Sequence, residues 1–318
     1  MLPMEKVTAF APATVANVAV GFDILGFALE DVGDEVSVAR EAGSRGVRIE
    51  SIEGVVPDLP MDPRKNTASV ALLDLLEERQ PGFGFTISIR KGIPLGSGMG
   101  GSAASAVAAV VAANRLLGDE LSAQEQLRHS LAGERAASGA AHPDNAAACL
   151  HGGMTAVVEL DPPRVVQIPL PDGLLCVLVH PHLTIETRHA RAALRREVAL
   201  SVHVEQSMSL CGFLVGCHRG DLELIRRSMV DRIAEPTRAK LIPGFEAARE
   251  AALAAGGLSF AISGSGPSVF AWADSTAVAG GVEQAIVGAF RRHGLEVDTW
   301  VGPIRRRGAE VLEPRRNG

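Results

Sequence analysis

Short apolar or alternating runs, bounded by Gly, Pro and Asp, dominate the first third of the chain. Such runs are typical of β-strands that bury one face. They predict strands at residues 7–9, 35–39, 47–52 and 85–89. Apolar residues at helical spacing predict a helix over residues 67–79, between the last two strands.

The pattern becomes strongly helical and alanine-rich from residue 102 to residue 117, and Gly118 fits the C-terminal end of this helix. A second helix is predicted at residues 123–137, and an apolar segment follows residue 142. Alternation then predicts strands at residues 154–160 and 174–180. Further helices are predicted at residues 187–196, 202–218, 222–229 and 245–255.

The closing pattern alternates strands and helices around a glycine-rich turn at residues 264–267. It predicts strands at 259–263, 268–272 and 297–301 and a helix at 276–293. The order helix, strand, strand, helix, strand favours an α+β sandwich with helices on one face of an antiparallel sheet. The last few residues, rich in arginine, are expected to form a loose tail.

Composition indicates a globular protein with a small-molecule substrate. The 318 residues are 47% hydrophobic, so the chain can bury a substantial core in one large domain or two fused lobes. The net charge is −6, and no run of lysine and arginine marks a face for nucleic acid. A small soluble substrate therefore fits better than a nucleic acid.

The cysteines and the N-terminal residues indicate the cellular compartment. Cys149, Cys176, Cys211 and Cys217 form no Cys-x-x-Cys pair or Cys/His cluster, so we expect buried structural thiols rather than a zinc site or a disulfide framework. The first ten residues lack the features of a signal peptide, and no uncharged stretch reaches the ~20 residues of a membrane span. We therefore expect a cytoplasmic protein without a membrane partner.

A glycine-rich segment leads into the alanine-rich helix and is the first candidate site. Its residues are Pro94, Leu95, Gly96, Ser97, Gly98, Met99, Gly100, Gly101 and Ser102. Backbone N–H groups of such a segment turn toward an anion at the positive end of the helix. Glycine matters because a Cβ would keep the backbone away from phosphate oxygens. The segment therefore predicts phosphate binding.

Other interpretations of this segment compete with that prediction. Gly96, Gly98 and Gly101 satisfy the dinucleotide-binding spacing, but that unit needs a strand with an acidic residue about 20 positions on. Gly118 instead leads into a second helical pattern. A strict Walker A loop is excluded because Ser102 stands where its lysine should be. A turn without a ligand is the last alternative, although the segment holds more glycine than a connection needs.

The segment resembles the ATP-binding motif of the superfamily of galactokinase, homoserine kinase, mevalonate kinase and phosphomevalonate kinase, Pro-x-Gly-x-Gly-Leu-Gly-Ser-Ser-Ala. Met99 replaces leucine, Gly101 replaces the first of the paired serines, and Ser102 keeps the second. Further segments resemble homoserine kinases along nearly the whole chain: residues 11–17 with 21–26, 133–134 with 138–139 and 142–145, 234–238 with 241–244, and 262–268.

This resemblance implies the two-lobed α+β fold of the GHMP kinases. It implies an ATP-binding N-terminal lobe of ribosomal-protein-S5-like type at residues 1–165 and a ferredoxin-like C-terminal lobe at residues 166–318, with the active site between them. It also implies ATP and Mg²⁺ as cofactors, L-homoserine as the acceptor on the way to threonine, and a homodimer.

The resemblance also implies which residues hold the metal and the amino-acid acceptor. Ser102 and Glu134 are the expected Mg²⁺ ligands, since Mg²⁺ prefers oxygen and keeps several waters. A zwitterion needs a cationic fork for its carboxylate and an acceptor for its ammonium. The residues matched to substrate-binding positions are Asn17, Asp23, His142, Thr187, Arg191 and Arg238. Asp23 is alternatively a turn residue.

The remaining assignments concern adenine and the attacking hydroxyl. Asn66 resembles a position that contacts adenine and fits equally well as a helix N-cap. We expect Asn145 to orient the hydroxyl, with Glu134 and Asp23 completing the catalytic set. A loose phosphoryl transfer needs little base assistance, so we hypothesise that Asp144 is not a general base. The three alanines at residues 146–148 depart from the family pattern beside an expected strand entry.

Two other functions fit parts of this pattern. A related kinase acting on a mevalonate- or shikimate-type alcohol would use the same arginines for another carboxylate. A nucleotide-binding sensor that lost catalysis would keep the fold, although Ser102, Glu134 and Asn145 together argue against it. The turn at residues 263–268 faces either the active site or an amino-acid effector.

Overall fold

A computed structural model describes residues 5–56, 58–138 and 143–313. The strands in chain order are β1 Lys6–Ala16, β2 Leu25–Glu41, β3 Val47–Gly54, β4 Gly84–Lys91, β5 Met154–Leu160, β6 Pro163–Ile168, β7 Leu175–Pro181, β8 Ala261–Ile262, β9 Val269–Ala273, β10 Val297–Pro303 and β11 Glu310–Leu312. The helices are α1 Thr67–Arg79, α2 Gly101–Leu116, α3 Ala123–Ser138, α4 Pro143–His151, α5 Thr187–Ala192, α6 Leu200–Arg219, α7 Leu222–Ser228, α8 Glu235–Arg238, α9 Phe245–Ala254 and α10 Thr276–Arg292. A 3₁₀ turn, Ala239–Leu241, continues α8.

The larger sheet is built around β2. Its order is β11-β1-β2-β4-β3, and β5 pairs with both β2 and β6. All its pairs are antiparallel except β3 with β4, which α1 connects as a crossover. Because β2 is 17 residues long, it pairs with β4 at one end and β5 at the other.

Helices α1 to α4 pack together beside this sheet. Helix α2 is almost completely buried, and its many alanines let the sheet and the neighbouring helices approach closely. Gly133 of α3 shows how close this packing is, because a Cβ there would lie 2.4 Å from the carbonyl oxygen of Thr67 in α1. Helices α1 and α3 are therefore in close backbone contact at this point.

The smaller sheet has the order β10-β7-β9-β8 and is antiparallel throughout. Helices α9 and α10 pack against each other, and α10 lies against β7, β9 and β10. Aromatic contacts connect the two sheets, since Phe27 of β2 lies 5.6 Å from Phe270 and 5.8 Å from Trp272 of β9, measured between ring centroids. The α+β class predicted from the sequence is confirmed.

The chain returns to the larger sheet after β10. Ile304 forms an isolated bridge with Leu29, and β11 pairs with β1. Strand β11 was not expected from the sequence. The chain passes from the larger sheet to the smaller one between β6, which ends at Ile168, and β7, which begins at Leu175. The boundary between the two lobes at residues 165 and 166 stays a prediction.

Several sequence predictions need correction. Residues 146–148 lie inside α4, so the expected strand entry there is wrong, because Pro143 at the first helical position and a polar first turn start a helix instead. Helix α5 ends at Ala192 rather than at residue 196. Cys211 is exposed, while the other three cysteines are buried. In the described part of the chain, no helix has the length and apolar character to cross a membrane.

Candidate active site

A cleft of about 540 Å³ lies where the glycine-rich segment meets the start of α5 and the turn between β8 and β9. Residues predicted from the sequence to hold phosphate, metal and acceptor line this cleft together. They come from positions as far apart in the chain as Asn17 and Arg238. One cleft therefore combines the groups that the sequence assigned to separate functions.

The phosphate loop, residues 94–102, needs glycine at two positions for steric reasons. Gly98 has φ 78°, and a Cβ there would lie 2.4 Å from the carbonyl oxygen of Ser263. Gly100 has φ 69° and precedes α2. A Cβ on Gly100 would lie 2.1 Å from the Thr14 hydroxyl oxygen and 2.7 Å from Oδ1 of Asn145. The loop is therefore wedged between β1, α4 and the turn after β8.

Gly101 differs from these glycines. It is the first residue of α2, and its φ is not positive. A Cβ there would meet the Ile93 side chain at 3.2 Å, a contact that a small adjustment of that side chain can relieve. The departure from the family pattern at Gly101 therefore does not reflect a backbone requirement.

The turn at residues 263–268 supports the phosphate loop. The Ser263 hydroxyl donates to the Gly98 carbonyl oxygen at 2.8 Å, and the Ser268 N–H donates to that of Ser97 at 3.1 Å. Ser263 is fully buried. Of the two positions considered from the sequence, the turn therefore occupies the one at the active site.

The segment after β1 is a left-handed turn. Asn17, Val18 and Ala19 have φ of 68°, 45° and 57°, and the Gly21 N–H donates to the Asn17 carbonyl oxygen at 2.8 Å. Left-handed backbone is unusual for a β-branched residue such as Val18, and such strain concentrates at functional sites. The turn points the Asn17 side chain at the Gly264 carbonyl oxygen, 2.9 Å away.

The residue that supports this turn was not predicted from the sequence. Gln206 of α6 is buried, its Nε2 donates to the Val20 carbonyl oxygen at 2.9 Å, and its Oε1 accepts from the Arg232 N–H at 2.9 Å. Gln206 thus connects the turn to the segment that leads into α8. Only the three-dimensional structure reveals this connection, because a single glutamine on a helix has no distinctive sequence pattern.

Arg191 and Arg238, the two arginines predicted to bind a carboxylate, line the cleft together with Asp23, and we call this part of the cleft the acceptor end. Arg191 Nη2 lies 2.5 Å from Oδ2 of Asp23, and Arg238 Nη1 donates to the Gly264 carbonyl oxygen at 2.8 Å. Both guanidinium groups lie beside the Phe22 ring, 5.6 Å and 5.3 Å from its centroid. Phe22 belongs to a family motif but had no predicted role, and its ring lies against both guanidinium groups, where a cation–π interaction favours them.

Asp23 is both a turn residue and an ion-pair partner. Its φ is 58°, and its N–H donates to Oδ1 of Asn17 at 3.0 Å. The two interpretations of Asp23 made from the sequence therefore describe the same residue. Thr187, also predicted at this end, lies with its hydroxyl oxygen 3.4 Å from that of Ser265. His142 lies outside the described residues.

Buried carboxylates lie at the centre of the cleft. Burial raises the pKa of Glu134 to about 7, while a hydrogen bond with the Ser102 side chain and the Lys91 ammonium oppose the rise. Burial and the nearby negative charges of Asp23 and Glu134 raise the pKa of Asp144 to about 7. A cation in this region would relieve the repulsion among these groups.

Asn145 and Asn66 are both held by neighbouring groups. The Thr14 hydroxyl donates to Oδ1 of Asn145 at 2.7 Å, which fixes the amide beside Gly100. Oδ1 of Asn66 accepts from the Ala68 N–H at 3.1 Å, so Asn66 is the N-cap of α1 and also lines the cleft. The N-cap alternative for Asn66 is thus confirmed, and adenine contact stays a prediction.

A buried ion pair lies beneath the start of α2. The Lys91 ammonium contacts the Asp34 carboxylate and donates to the Gly101 carbonyl oxygen at 2.8 Å and to the Ser105 hydroxyl at 2.9 Å. Asp34 also accepts from the Ser105 hydroxyl at 2.7 Å. Each charge has a partner and further hydrogen bonds, as a buried pair requires. The sequence did not indicate this cluster, because its members come from two strands and a helix.

Comparison with known proteins agrees with this geometry. Residues 66–153 match the model of the GHMP kinases N terminal domain, and residues 213–291 match that of the GHMP kinases C terminal domain. The chain is 46% identical over 309 residues to a homoserine kinase from Xanthomonas campestris, covering 97% of this chain and 95% of the relative. It is 45% identical to a homoserine kinase from Chloroherpeton thalassium, covering 97% and 100%.

The chain belongs to the homoserine kinase family of the GHMP kinases. A crystal structure of homoserine kinase from Cytophaga hutchinsonii superposes with a TM-score of 0.94 at 43% identity, covering 98% of this chain and 99% of that one. The two-lobed GHMP kinase fold and the assignment to the ATP-dependent kinases are therefore confirmed.

Proposed function

We propose that the protein transfers the γ-phosphoryl group of ATP to the side-chain hydroxyl of L-homoserine, giving O-phospho-L-homoserine and ADP on the route to threonine. The observation that carries the proposal is that the phosphate loop and the Asp23–Arg191 ion pair open into one cleft. Membership of the homoserine kinase family supports the same acceptor.

The Asp23–Arg191 pair suits a zwitterionic acceptor. The two groups lie 2.5 Å apart, and about a third of each side chain is exposed, 34% for Asp23 and 38% for Arg191. Homoserine brings its own ammonium and carboxylate, so each protein charge exchanges one partner for another. Arg238 and Phe22 then hold the carboxylate end. Binding thus leaves no isolated charge in the cleft, whereas a neutral alcohol would have to break the pair without replacement.

Alignment of the hydroxyl falls to Asn145. Its amide is fixed by Thr14 and lies next to Gly100 of the phosphate loop. In the transfer, the homoserine oxygen bonds to the γ-phosphorus as the bond to the β–γ bridging oxygen breaks. The hydroxyl proton leaves to the transferred phosphoryl group or to water. A loose transition state lets positioning and charge stabilisation carry the reaction without a base of matched pKa.

We propose Ser102 and Glu134 as the protein ligands of Mg²⁺. They are hydrogen-bonded to each other beside the phosphate loop, and the crowded carboxylates favour a cation there. Among the described residues, no group of three or more His, Cys, Asp or Glu side chains forms a metal centre made by protein alone. That suits Mg²⁺, which keeps waters and phosphate oxygens as ligands. When bound, Mg²⁺ neutralises phosphate charge.

The test is the rate of ADP formation with Mg²⁺ and ATP across a panel of homoserine, mevalonate and shikimate. We expect homoserine to give the highest kcat/KM. A higher value for mevalonate or shikimate assigns the protein to a related kinase activity. No ADP formation with homoserine contradicts the proposal.

We further propose a cytoplasmic homodimer. Exposed apolar side chains recur along α6 at Leu200, Val204 and Met208, at a spacing that places them on one face of the helix. Light scattering should give twice the mass of the chain, and Met208→Glu should shift that mass toward the monomer. A monomeric wild-type protein contradicts the dimer.

A further inference from the structure

Helix α5 runs from the phosphate end of the cleft to the acceptor end. Before it begins, the Ile185 N–H donates to the Gly96 carbonyl oxygen at 3.3 Å. A Cβ on Gly96 would lie 2.6 Å from Cγ2 of Thr184, so this segment packs directly on the phosphate loop. Near its other end, Arg191 pairs with Asp23. The residues between Ile185 and Arg191 that line the cleft therefore lie between the phosphate loop and the Asp23–Arg191 pair.

Arg188 occupies that intermediate position. It is exposed and lines the same cleft as the phosphate loop and Asp23. Residues three apart on a helix share a face, so Arg188 and Arg191 lie side by side. The Arg188 side chain thus lines the part of the cleft between the phosphate loop and the Asp23–Arg191 pair.

Arg188 also differs from the other arginines of the cleft in its partners. Arg191 pairs with Asp23, and Arg238 donates to the Gly264 carbonyl oxygen. Among the residues that the structure describes, no carboxylate lies within 4.0 Å of the Arg188 guanidinium. The neighbouring Glu186 is instead 3.7 Å from His189. Arg188 therefore keeps its full charge available for a ligand.

A cation at this position would add to the charge neutralisation that Mg²⁺ is proposed to supply. The phosphate loop offers neutral backbone donors, while the carboxylates of Asp23, Glu134 and Asp144 would repel the triphosphate. Two lysines line the cleft: the Lys91 ammonium is bound to Asp34, and the Lys65 ammonium lies 3.9 Å from the Asp62 carboxylate. In the loose transition state the negative charge of the phosphoryl group is spread over its three equatorial oxygens, and a planar guanidinium can match two of them with parallel hydrogen bonds.

We propose that Arg188 is a catalytic residue that contacts the γ-phosphate of ATP and stabilises the phosphoryl group during transfer. The proposal rests on the proposed kinase function. Arg188 stays protonated throughout and forms or breaks no covalent bond. A merely solvated surface arginine would be indifferent to which nucleotide is bound, whereas a contact to the γ-phosphate distinguishes ATP from ADP.

The experiment compares Arg188→Gln and Arg188→Lys with the matched control Arg195→Gln, an exposed arginine just beyond α5 that does not line the cleft. Calorimetry with Mg²⁺ and without acceptor measures the dissociation constants of ADP and of a non-hydrolysable ATP analogue. We expect Arg188→Gln to raise the dissociation constant of the ATP analogue about tenfold or more and to change that of ADP by less than twofold. Arg188→Lys should have an intermediate effect on the analogue. Arg195→Gln should change neither dissociation constant.

Kinetics complete the test. At saturating substrates, Arg188→Gln should lower kcat about 10- to 100-fold with the homoserine KM within twofold. Equal weakening of ADP and analogue, an unchanged kcat, or a rise in homoserine KM alone each overturns the proposal. The wild-type protein could fail to phosphorylate homoserine while Arg188→Gln still weakened binding of the ATP analogue and not of ADP. In that case the assigned acceptor would be wrong and the Arg188 contact would stand. Thermal midpoints close to wild type verify folding.

Discussion

Asn17 and Arg238 donate hydrogen bonds to the same carbonyl oxygen, that of Gly264, at 2.9 Å and 2.8 Å. Asn17 follows a strand of the larger sheet, while Arg238 ends a helix that packs near the smaller sheet. The Gly264 N–H also donates to the Ala16 carbonyl oxygen at 3.2 Å. The acceptor end of the cleft is therefore held by a connection between the two halves of the fold.

Because Asn17 and Arg238 share one hydrogen-bond acceptor, the Gly264 carbonyl oxygen, we predict that the effects of changing the two side chains are coupled. Asn17→Ala and Arg238→Gln should each raise the homoserine KM about tenfold or more, because each removes a hydrogen bond at the acceptor end. The double variant should fall short of the product of the single effects, since either change alone already loosens the Gly264 turn. Steady-state kinetics on the four proteins measures the coupling, and fully multiplicative effects would contradict it.

Gly100 and Gly101 provide a matched pair of adjacent positions. Gly100→Ala should weaken ATP binding by ~10²-fold or more, for two reasons. Its Cβ would lie 2.1 Å from the Thr14 hydroxyl oxygen, and an alanine is strained in the left-handed backbone conformation of this position. Gly101→Ala should change the ATP dissociation constant by less than about tenfold, since only the Ile93 side chain must move. Calorimetric titration with ATP checks both. Similar losses at the two positions would refute the steric explanation.

Glu134 predicts a specific dependence of stability on pH. Its pKa is raised from 4.5 to about 7 in the folded protein, so between these values the folded state holds more protons than the unfolded state. The contribution of Glu134 to the free energy of unfolding therefore falls as pH rises through this window. Asp144, whose pKa is raised from 3.8 to about 7, changes the stability in the same direction.

Glu134→Gln removes this titration and should unfold at a higher temperature than wild type at pH 8 without Mg²⁺ or nucleotide. The advantage should shrink as the pH falls and should disappear below pH 4.5, where wild-type Glu134 becomes protonated in both states. The same variant should lose most activity, because its amide is a poorer Mg²⁺ ligand than a carboxylate. Thermal melts across pH give the answer, and a constant difference between the two proteins would show that Glu134 does not titrate in this way.

Asp144 tests whether the enzyme uses a general base. Because positioning by Asn145 and charge stabilisation are expected to suffice, Asp144→Asn should lower the chemical step by less than ~10³-fold. Rapid-quench measurement of a single turnover isolates that step from product release. A loss of ~10³ or more, together with disappearance of an acidic limb in the pH–rate profile, would identify Asp144 as the base.

Local signals in the sequence account for the parts of the fold and site that could be predicted. The glycine spacing at residues 94–102 and the periodicity of α1 depend on neighbours in the chain, and the predicted bounds of α1 agree with the structure. Strand β1 is longer than expected because Ala11 and Ala13 alternate with Pro12 and Thr14, which are buried as well, and β2 is longer because its first five residues are all buried. Burial of both faces removes the alternation that identifies a strand.

Long-range contacts could not be predicted in the same way. Asp23 and Arg191 are 168 residues apart in sequence, so their pairing depends on how the two halves of the chain meet. The roles of Phe22 and Gln206 likewise follow from packing between distant segments. A single sequence shows which chemical groups are present, whereas the partners of each group are a property of the folded chain.

The most direct measurement is phosphorus NMR of the wild-type protein incubated with Mg²⁺, ATP and L-homoserine. We expect one phosphate monoester, identified as O-phospho-L-homoserine by mass, for each ADP formed. ADP accompanied by inorganic phosphate, or ATP that binds and remains unchanged, would contradict phosphoryl transfer to homoserine and favour a nucleotide-binding protein that has lost catalysis.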